Sequence, residues 1–349
     1  EEASHLLGTV AEGIFDLLDA FDSDDEGSPL ARKVQMKAAE KSTAETGTSK
    51  PYLPYPAFAE LEARGIRMRY EVKGPEAAPR LLYIPGASDD LRKDLSKDHL
   101  RSFAKNFRTL TCDLRNQGET TPLALDEYVP LRTYVEDLVA LLDAVFEPGA
   151  RVHVAGWSFG SALALLLAQL HPDRVDRMIV ISGGYFEPQP QHIGRLDTSA
   201  ELLFGPDCNW AQDFWSYSSL ELEERCTRML RHADVRRAGH NFCPSLGPQF
   251  AEMRDIYARS ERVTVMSRAK ELGRGVRSQL YALFAEGTPS VEKIQAPILI
   301  LHGRHDGMQP VTRAQELEQR MPQAQLIILE DCGHVAVRAA APLAAQFLT

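Results

Sequence analysis

An α/β fold, with a mostly parallel central sheet covered by helices on both faces, is the architecture this sequence predicts. Three observations carry the prediction. Short apolar segments of strand length alternate with helical segments along most of the chain. One junction, Val154-Ala155-Gly156-Trp157-Ser158-Phe159-Gly160-Ser161, reads as strand, sharp turn and helix, with a serine between two glycines. Two later strand-like segments each end in a loop that carries an acid or a histidine, Asp306 and His334.

Taken in order, strands are expected at 68–73, 80–84, 109–113, 152–155, 178–182, 298–302 and 326–329, and helices near 131–146, 159–171 and 313–321, with a last one after Val335. At 349 residues and 44% hydrophobic content, the chain can bury one large α/β core plus an insertion. No run of 18 apolar residues exists, so no membrane span is expected.

The segment around Ser158 fits the G-x-S-x-G pattern of a nucleophile elbow. Gly156 and Gly160 leave room for a turn in which a side chain would strike neighbouring backbone. Ser158 is then held in strained geometry that exposes its hydroxyl at the sheet edge. The helix-forming run after it, Ala-Leu-Ala-Leu-Leu-Leu-Ala-Gln-Leu, puts the serine at a helix N-terminus, which favours developing negative charge.

A serine hydroxyl needs a base to remove its proton and an acid to orient that base. Both occur in the expected chain order. Pro-Ile-Leu-Ile-Leu-His leads into Gly303-Arg304-His305-Asp306, and Gln-Leu-Ile-Ile-Leu-Glu leads into Asp331-Cys332-Gly333-His334. Ligand sites in open parallel sheets gather beyond the carboxyl ends of strands, where both residues fall. Alone, Asp306 reads equally as the cap of the next helix and His334 as a core histidine; three candidates on three strand ends favour Ser158, Asp306 and His334 as a catalytic set. Asp331 lies too near His334 in sequence and serves the turn. His302 and His305 lack accompanying ligands at metal spacing, so no metal is expected. Oxyanion donors are expected from the backbone N–H groups of Phe159 and of Ala87, the latter in the loop after Leu81-Leu82-Tyr83-Ile84-Pro85-Gly86.

From these residues the chain resembles the α/β-hydrolase fold family, in its esterase, lactonase and thioesterase-like branch, from about Ile66 to the C-terminus. Asp113-Leu114-Arg115-Asn116-Gln117-Gly118-Glu119-Thr120 is similar to the family's Asp-x-Arg-Gly-x-Gly-x-Ser loop, with Asn116 for the glycine and Thr120 for the serine. Pro85-Gly86 stands where a His-Gly pair is common. A serine at the elbow disfavours the dehalogenase and epoxide hydrolase chemistries, which use an aspartate there. The resemblance also implies a helical cap over the site, between the strand near 178–182 and the acid-bearing one.

The expected organisation is an acidic amphipathic extension (1–41), a linker (42–60), a first core part with the elbow (61–184), a helical cap (185–290) and a second core part (291–349). Nine of the chain's acids and no Lys or Arg fall in Glu1 to Glu26, where Leu6, Leu7, Val10, Ile14, Leu17, Leu18 and Phe21 recur at helical spacing. That charge argues against nucleic acid and anionic membrane and leaves a protein partner open. The first residue is not Met, which leaves the chain readable as a processed or truncated product. In the cap stretch, Phe204, Trp210, Phe214, Trp215, Tyr217, Phe242, Phe250 and Tyr257 either line a pocket for an apolar or aromatic small-molecule acyl substrate or pack the cap on the core. The run Arg225, Arg228, Arg231, Arg236 and Arg237 reads more simply as a solvated helix face than as a carboxylate site. Five scattered cysteines without a C-x-x-C fit the cytoplasm or another reducing compartment, with Cys332 a small buried filler.

The resulting expectation is a serine hydrolase of an ester, lactone or thioester bond, needing no cofactor. Carbon–carbon bond hydrolysis or cofactor-free lyase chemistry on the same triad is the alternative, because the pocket and not the triad selects the scissile bond. A non-catalytic ligand-binding protein on the same fold is a third.

Overall fold

The structure, a computed structural model, describes residues 57–87, 89–121, 129–187, 279, 282–283, 285–306 and 309–349. The acidic extension, the linker as far as Pro56, and the cap aromatics and arginines named above lie outside the described residues.

Eight strands form one sheet: β1 (Ala57–Leu61), β2 (Ile66–Lys73), β3 (Arg80–Ile84), β4 (Arg108–Cys112), β5 (Val152–Trp157), β6 (Val175–Ile181), β7 (Ile298–Gly303) and β8 (Ala324–Leu329). Their spatial order is β1-β2-β4-β3-β5-β6-β7-β8. The β1–β2 and β2–β4 pairs are antiparallel, and every pair from β4 to β8 is parallel. The helices are α1 (Asp94–Phe103), α2 (Leu131–Val145), α3 (Phe159–Leu170), α4 (Val311–Arg320) and α5 (Val337–Leu348).

The parallel strands are apolar runs because both faces of the sheet are covered: every residue of β5 and of β7 is buried. Alternation divides them between two cores. Leu82, Val154, Val180 and Ile300 pack with Leu138 of α2 and Leu163 of α3. Leu81, Ala155, Ile179 and Leu299 pack with Leu95 and Phe103 of α1 and with Ala340 and Ala344 of α5. β8 pairs only with β7 and alternates in exposure, as an edge strand does.

The core strands and helices expected between residues 68 and 349 are present, with ends shifted by up to three residues; the amphipathic helix expected in the extension and the helical cap lie outside the described residues. Two elements had no expectation, β1 and α1. The sequence of α1, Asp-Leu-Ser-Lys-Asp-His-Leu-Arg-Ser-Phe, is mostly polar. Its three apolar residues, Leu95, Leu100 and Phe103, are all buried, and the Asp98 carboxylate adds a polar anchor by accepting from Arg338 of α5 (Nε to Oδ2 3.0 Å).

Where the sequence leaves the core after β6, two residues clasp. The Phe186 N–H donates to Thr288 Oγ1 at 2.8 Å, and the Thr288 N–H donates to the Phe186 carbonyl at 2.8 Å. The chain therefore departs and returns at one point on the sheet.

Candidate active site

Ser158 sits between β5 and α3 with φ 53° and ψ −121°, in the left-handed half of backbone space that a non-glycine residue rarely enters. The close approach of helix to strand enforces it. A Cβ on Gly156 would overlap the Gly160 carbonyl, and one on Gly160 would overlap the Ile84 carbonyl. The Ser158 N–H donates to Ile181 O at 3.0 Å, and Ser161 Oγ donates to Gly156 O at 2.8 Å. Strand, turn and helix are thereby locked as one unit. Phe159 is the first residue of α3, so its N–H is among the amides that a helix leaves without an intrahelical acceptor.

Asp306 and His334 emerge just beyond β7 and β8, as expected, and the structure brings them together. His334 Nδ1 lies 2.8 Å from Asp306 Oδ2, with both side chains buried. A carboxylate oxygen can only accept, so Nδ1 carries the proton of this bond, and in the neutral ring Nε2 is the nitrogen with the lone pair. The other carboxylate oxygen accepts the Gln309 N–H at 2.8 Å. Beneath them His302 is fully buried, with Nε2 2.8 Å from the Gln309 carbonyl, Nδ1 3.2 Å from the Gly183 carbonyl and Nε2 3.5 Å from Asp306 Oδ2. Burial lowers the His302 pKa against the opposing pull of the Asp306 charge and the two carbonyls, and the ring braces the acid loop through these contacts.

Trp157 links the two halves. Its indole N–H donates to the His334 carbonyl at 2.9 Å, and its ring lies 5.5 Å from the His334 ring. Since Trp157 immediately precedes Ser158, the histidine loop is tied to the elbow itself. On its other side Trp157 meets the His99 ring edge-on at 4.9 Å. His99 pairs with the Tyr83 hydroxyl at 2.8 Å, and full burial pushes its pKa down to about 4. Sequence reasoning missed Trp157 and His99, and weighed His302 only as a metal ligand. The elbow pattern leaves the residue before the serine unspecified, and the other two histidines carried no distinguishing signal.

The candidate oxyanion loop follows β3. A Cβ on Gly86 would stand 2.9 Å from the Trp157 ring and 3.3 Å from Ser158 Cβ, so this backbone runs directly beside the elbow. Behind it lies the Asp113–Thr120 loop. Asn116, standing for the family glycine, adopts φ 65°, a conformation asparagine tolerates better than most residues. Thr120 keeps the hydroxyl function: Oγ1 donates to Asp113 O at 2.6 Å and accepts the Arg69 N–H at 3.1 Å. Asp113 accepts the Leu91 and Glu119 N–H groups (2.7 and 2.8 Å), while burial and then the Asp90 charge push its pKa up to about 7. Arg115 reaches away from the site in a two-toothed bond to buried Asp137 of α2 (2.7 and 2.9 Å).

Cys332 corrects an expectation. It is buried but disulfide-bonded, not a free filler, and its partner lies outside the described residues. Spacing along the chain carries no information on which sulfur atoms approach within bonding distance. Among the described residues no group of three or more His, Cys, Asp or Glu is arranged to hold a metal ion, and no helix is long and apolar enough to cross a membrane.

The geometry agrees with comparison to known proteins. Residues 79–337 match the family model for the alpha/beta hydrolase fold, and the chain belongs to that family. It is 25% identical to the pimeloyl-[acyl-carrier protein] methyl ester esterase of Nitrosomonas europaea over 67% of this chain and 81% of the relative. It is also 25% identical to the 2-hydroxymuconate semialdehyde hydrolase of Pseudomonas putida, over 79% and 86% of the two chains. The enol-lactonase of Burkholderia xenovorans LB400 has the same fold, with TM-score 0.58 and 19% identity over 84% of this chain and 98% of that one. The family and these relatives make the chain a hydrolase.

Proposed function

We propose that this chain is a serine hydrolase of a carboxylic ester-type bond (ester, lactone or thioester) in a small-molecule acyl substrate. One observation carries the reading. The buried His334–Asp306 pair, joined at 2.8 Å, is tethered through Trp157 to a serine held in left-handed strain. In the proposed reaction Ser158 Oγ attacks the substrate carbonyl while His334 Nε2 takes the serine proton. Asp306 keeps the imidazole oriented and stabilises its charged form. The oxyanion rests on the Phe159 and Ala87 amides. His334 returns the proton to the leaving alcohol or thiol, and water activated by the same nitrogen then releases the acid from the acyl-enzyme. No cofactor enters these steps.

The test is labelling with an alkyl fluorophosphonate, with the adduct located by peptide mass spectrometry. One adduct per chain on Ser158, lost in His334→Ala, is the expected result. Ser158→Ala should lower turnover of an accepted ester on the order of 10⁵-fold while the fold survives. Retained turnover would sink the mechanism. A second reading keeps the same residues but cleaves a carbon–carbon bond, and the extended similarity to the 2-hydroxymuconate semialdehyde hydrolase favours it. Product analysis with a vinylogous diketone beside a simple ester separates the two.

A further inference from the structure

We propose that Gln117 is a positioning residue for the oxyanion site, acting through the Gly86–Ala87 peptide; the inference rests on the serine-hydrolase reading above. Gln117 is buried in the loop after β4, and its Nε2 donates to the Gly86 carbonyl at 3.2 Å and to Gln279 Oε1 at 3.1 Å. Both neighbours are oxygens that accept, so the atom facing them is the amide nitrogen. The Gly86 carbonyl also accepts the Asp89 N–H, at 3.3 Å.

That carbonyl and the Ala87 N–H belong to a single peptide group. The group is planar, and in its trans form the two bonds point in opposite directions. Holding the oxygen from one side therefore aims the N–H toward the other. The aim matters because this backbone lies beside the nucleophile, with Gly86 lacking the Cβ that would sit 3.3 Å from Ser158 Cβ. An oxyanion donor is effective only when it is already oriented as charge develops.

Gln117 is itself launched from a stiff turn. Asn116 (φ 65°) and Gly118 (φ 53°) flank it, its N–H donates to Leu114 O at 2.9 Å, and its carbonyl accepts the Thr120 N–H at 3.2 Å. Gln117 thus has no contact with the reacting atoms to make. Its part is to stop the Gly86–Ala87 peptide from turning.

The experiment compares Gln117→Met, of similar volume without a donor, and Gln117→Asn, whose amide is one methylene too short. Saturation kinetics of Ser158 labelling by an alkyl fluorophosphonate are measured on the full chain, with melting temperature as a check on folding. The expected result is a maximal labelling rate lowered about 10- to 100-fold, with the half-saturating probe concentration unchanged within about twofold. A purely structural role would lower the melting temperature without that split. A folded variant that labels at the parental maximal rate, or one in which only half-saturation rises, overturns the proposal and leaves the serine reading intact. Absence of any Ser158 adduct on the parent chain overturns the serine reading, and the proposal with it. Should Gln117→Met fail to fold, Gln117→Asn carries the decision.

Discussion

The elbow and the acid–histidine loops meet in one place but are held by different forces. Around Ser158 the restraint is steric and backbone-made: two glycines let helix and strand approach until nothing larger fits, and hydrogen bonds to Gly156 and Ile181 close the unit. Around His334 the restraint is polar and remote in sequence. The Trp157 indole reaches across 177 residues and Asp306 across 28. Sterics tolerate no substitution and ignore pH, whereas polar anchors fail by degrees and respond to protons. The two halves should therefore break differently.

The largest effect is expected at the steric half. Gly160→Ala drives a methyl group into the Ile84 carbonyl, a backbone atom that cannot swing aside, and should cost at least about 3 kcal/mol in urea unfolding. A cost under about 1 kcal/mol would show that helix and strand are free to separate.

The polar half should carry the acid sensitivity. His99, under Trp157, has a folded pKa near 4 against 6.5 for the free side chain. The unfolded chain then binds more protons, so stability is present above pH 6.5 and is lost as pH falls toward 4, by roughly 3 kcal/mol in all. The buried Asp113, raised to about 7, has the opposite sign: its contribution is present below its usual carboxylate range and is lost as pH rises to 7. Each is read through its own variant. His99→Gln should flatten the loss of stability between pH 6.5 and 4 relative to the parent, and an unchanged slope would remove this histidine from the account.

The smallest effect sharpens the link between the halves. Trp157→Phe keeps one aromatic ring but loses the pyrrole ring with its N–H to the His334 carbonyl, and about 1 to 2 kcal/mol of stability should go with it. If the polar anchor positions the base, Ser158 labelling should slow in Trp157→Phe and the half-saturating probe concentration should stay put. A parental labelling rate would mean that the tie is structural only.

The same division explains what the sequence disclosed. The elbow was legible because the residues that form it, Gly156 to Ser161, are contiguous in sequence, and only glycine fits at two of them. Asp306 and His334 were legible from position, each just past an apolar strand. Trp157 and Gln117 were not. Each stands where its motif permits any residue, and each gains its meaning from a partner that only the sheet brings near: His334 for one, Gly86 and Gln279 for the other. α1 escaped for a related reason: its apolar stripe is only Leu95, Leu100 and Phe103 in a mostly polar segment, and its anchor Arg338 is 240 residues away in sequence.

The clasp between Phe186 and Thr288 has a consequence for how such a chain diversifies. Because departure and return share one point, extra length inserted between them costs loop closure, which grows only with the logarithm of length. Insertions or deletions that spare Gln279, Ala282, Leu283 and Glu286, which pack or bond against the core, should leave strand order and register untouched. The sheet behaves as a chassis with a single socket: a graft that keeps the chain from Gln279 onward retains the contact Gln117 makes with it, whereas one joining residue 186 directly to 288 removes that contact.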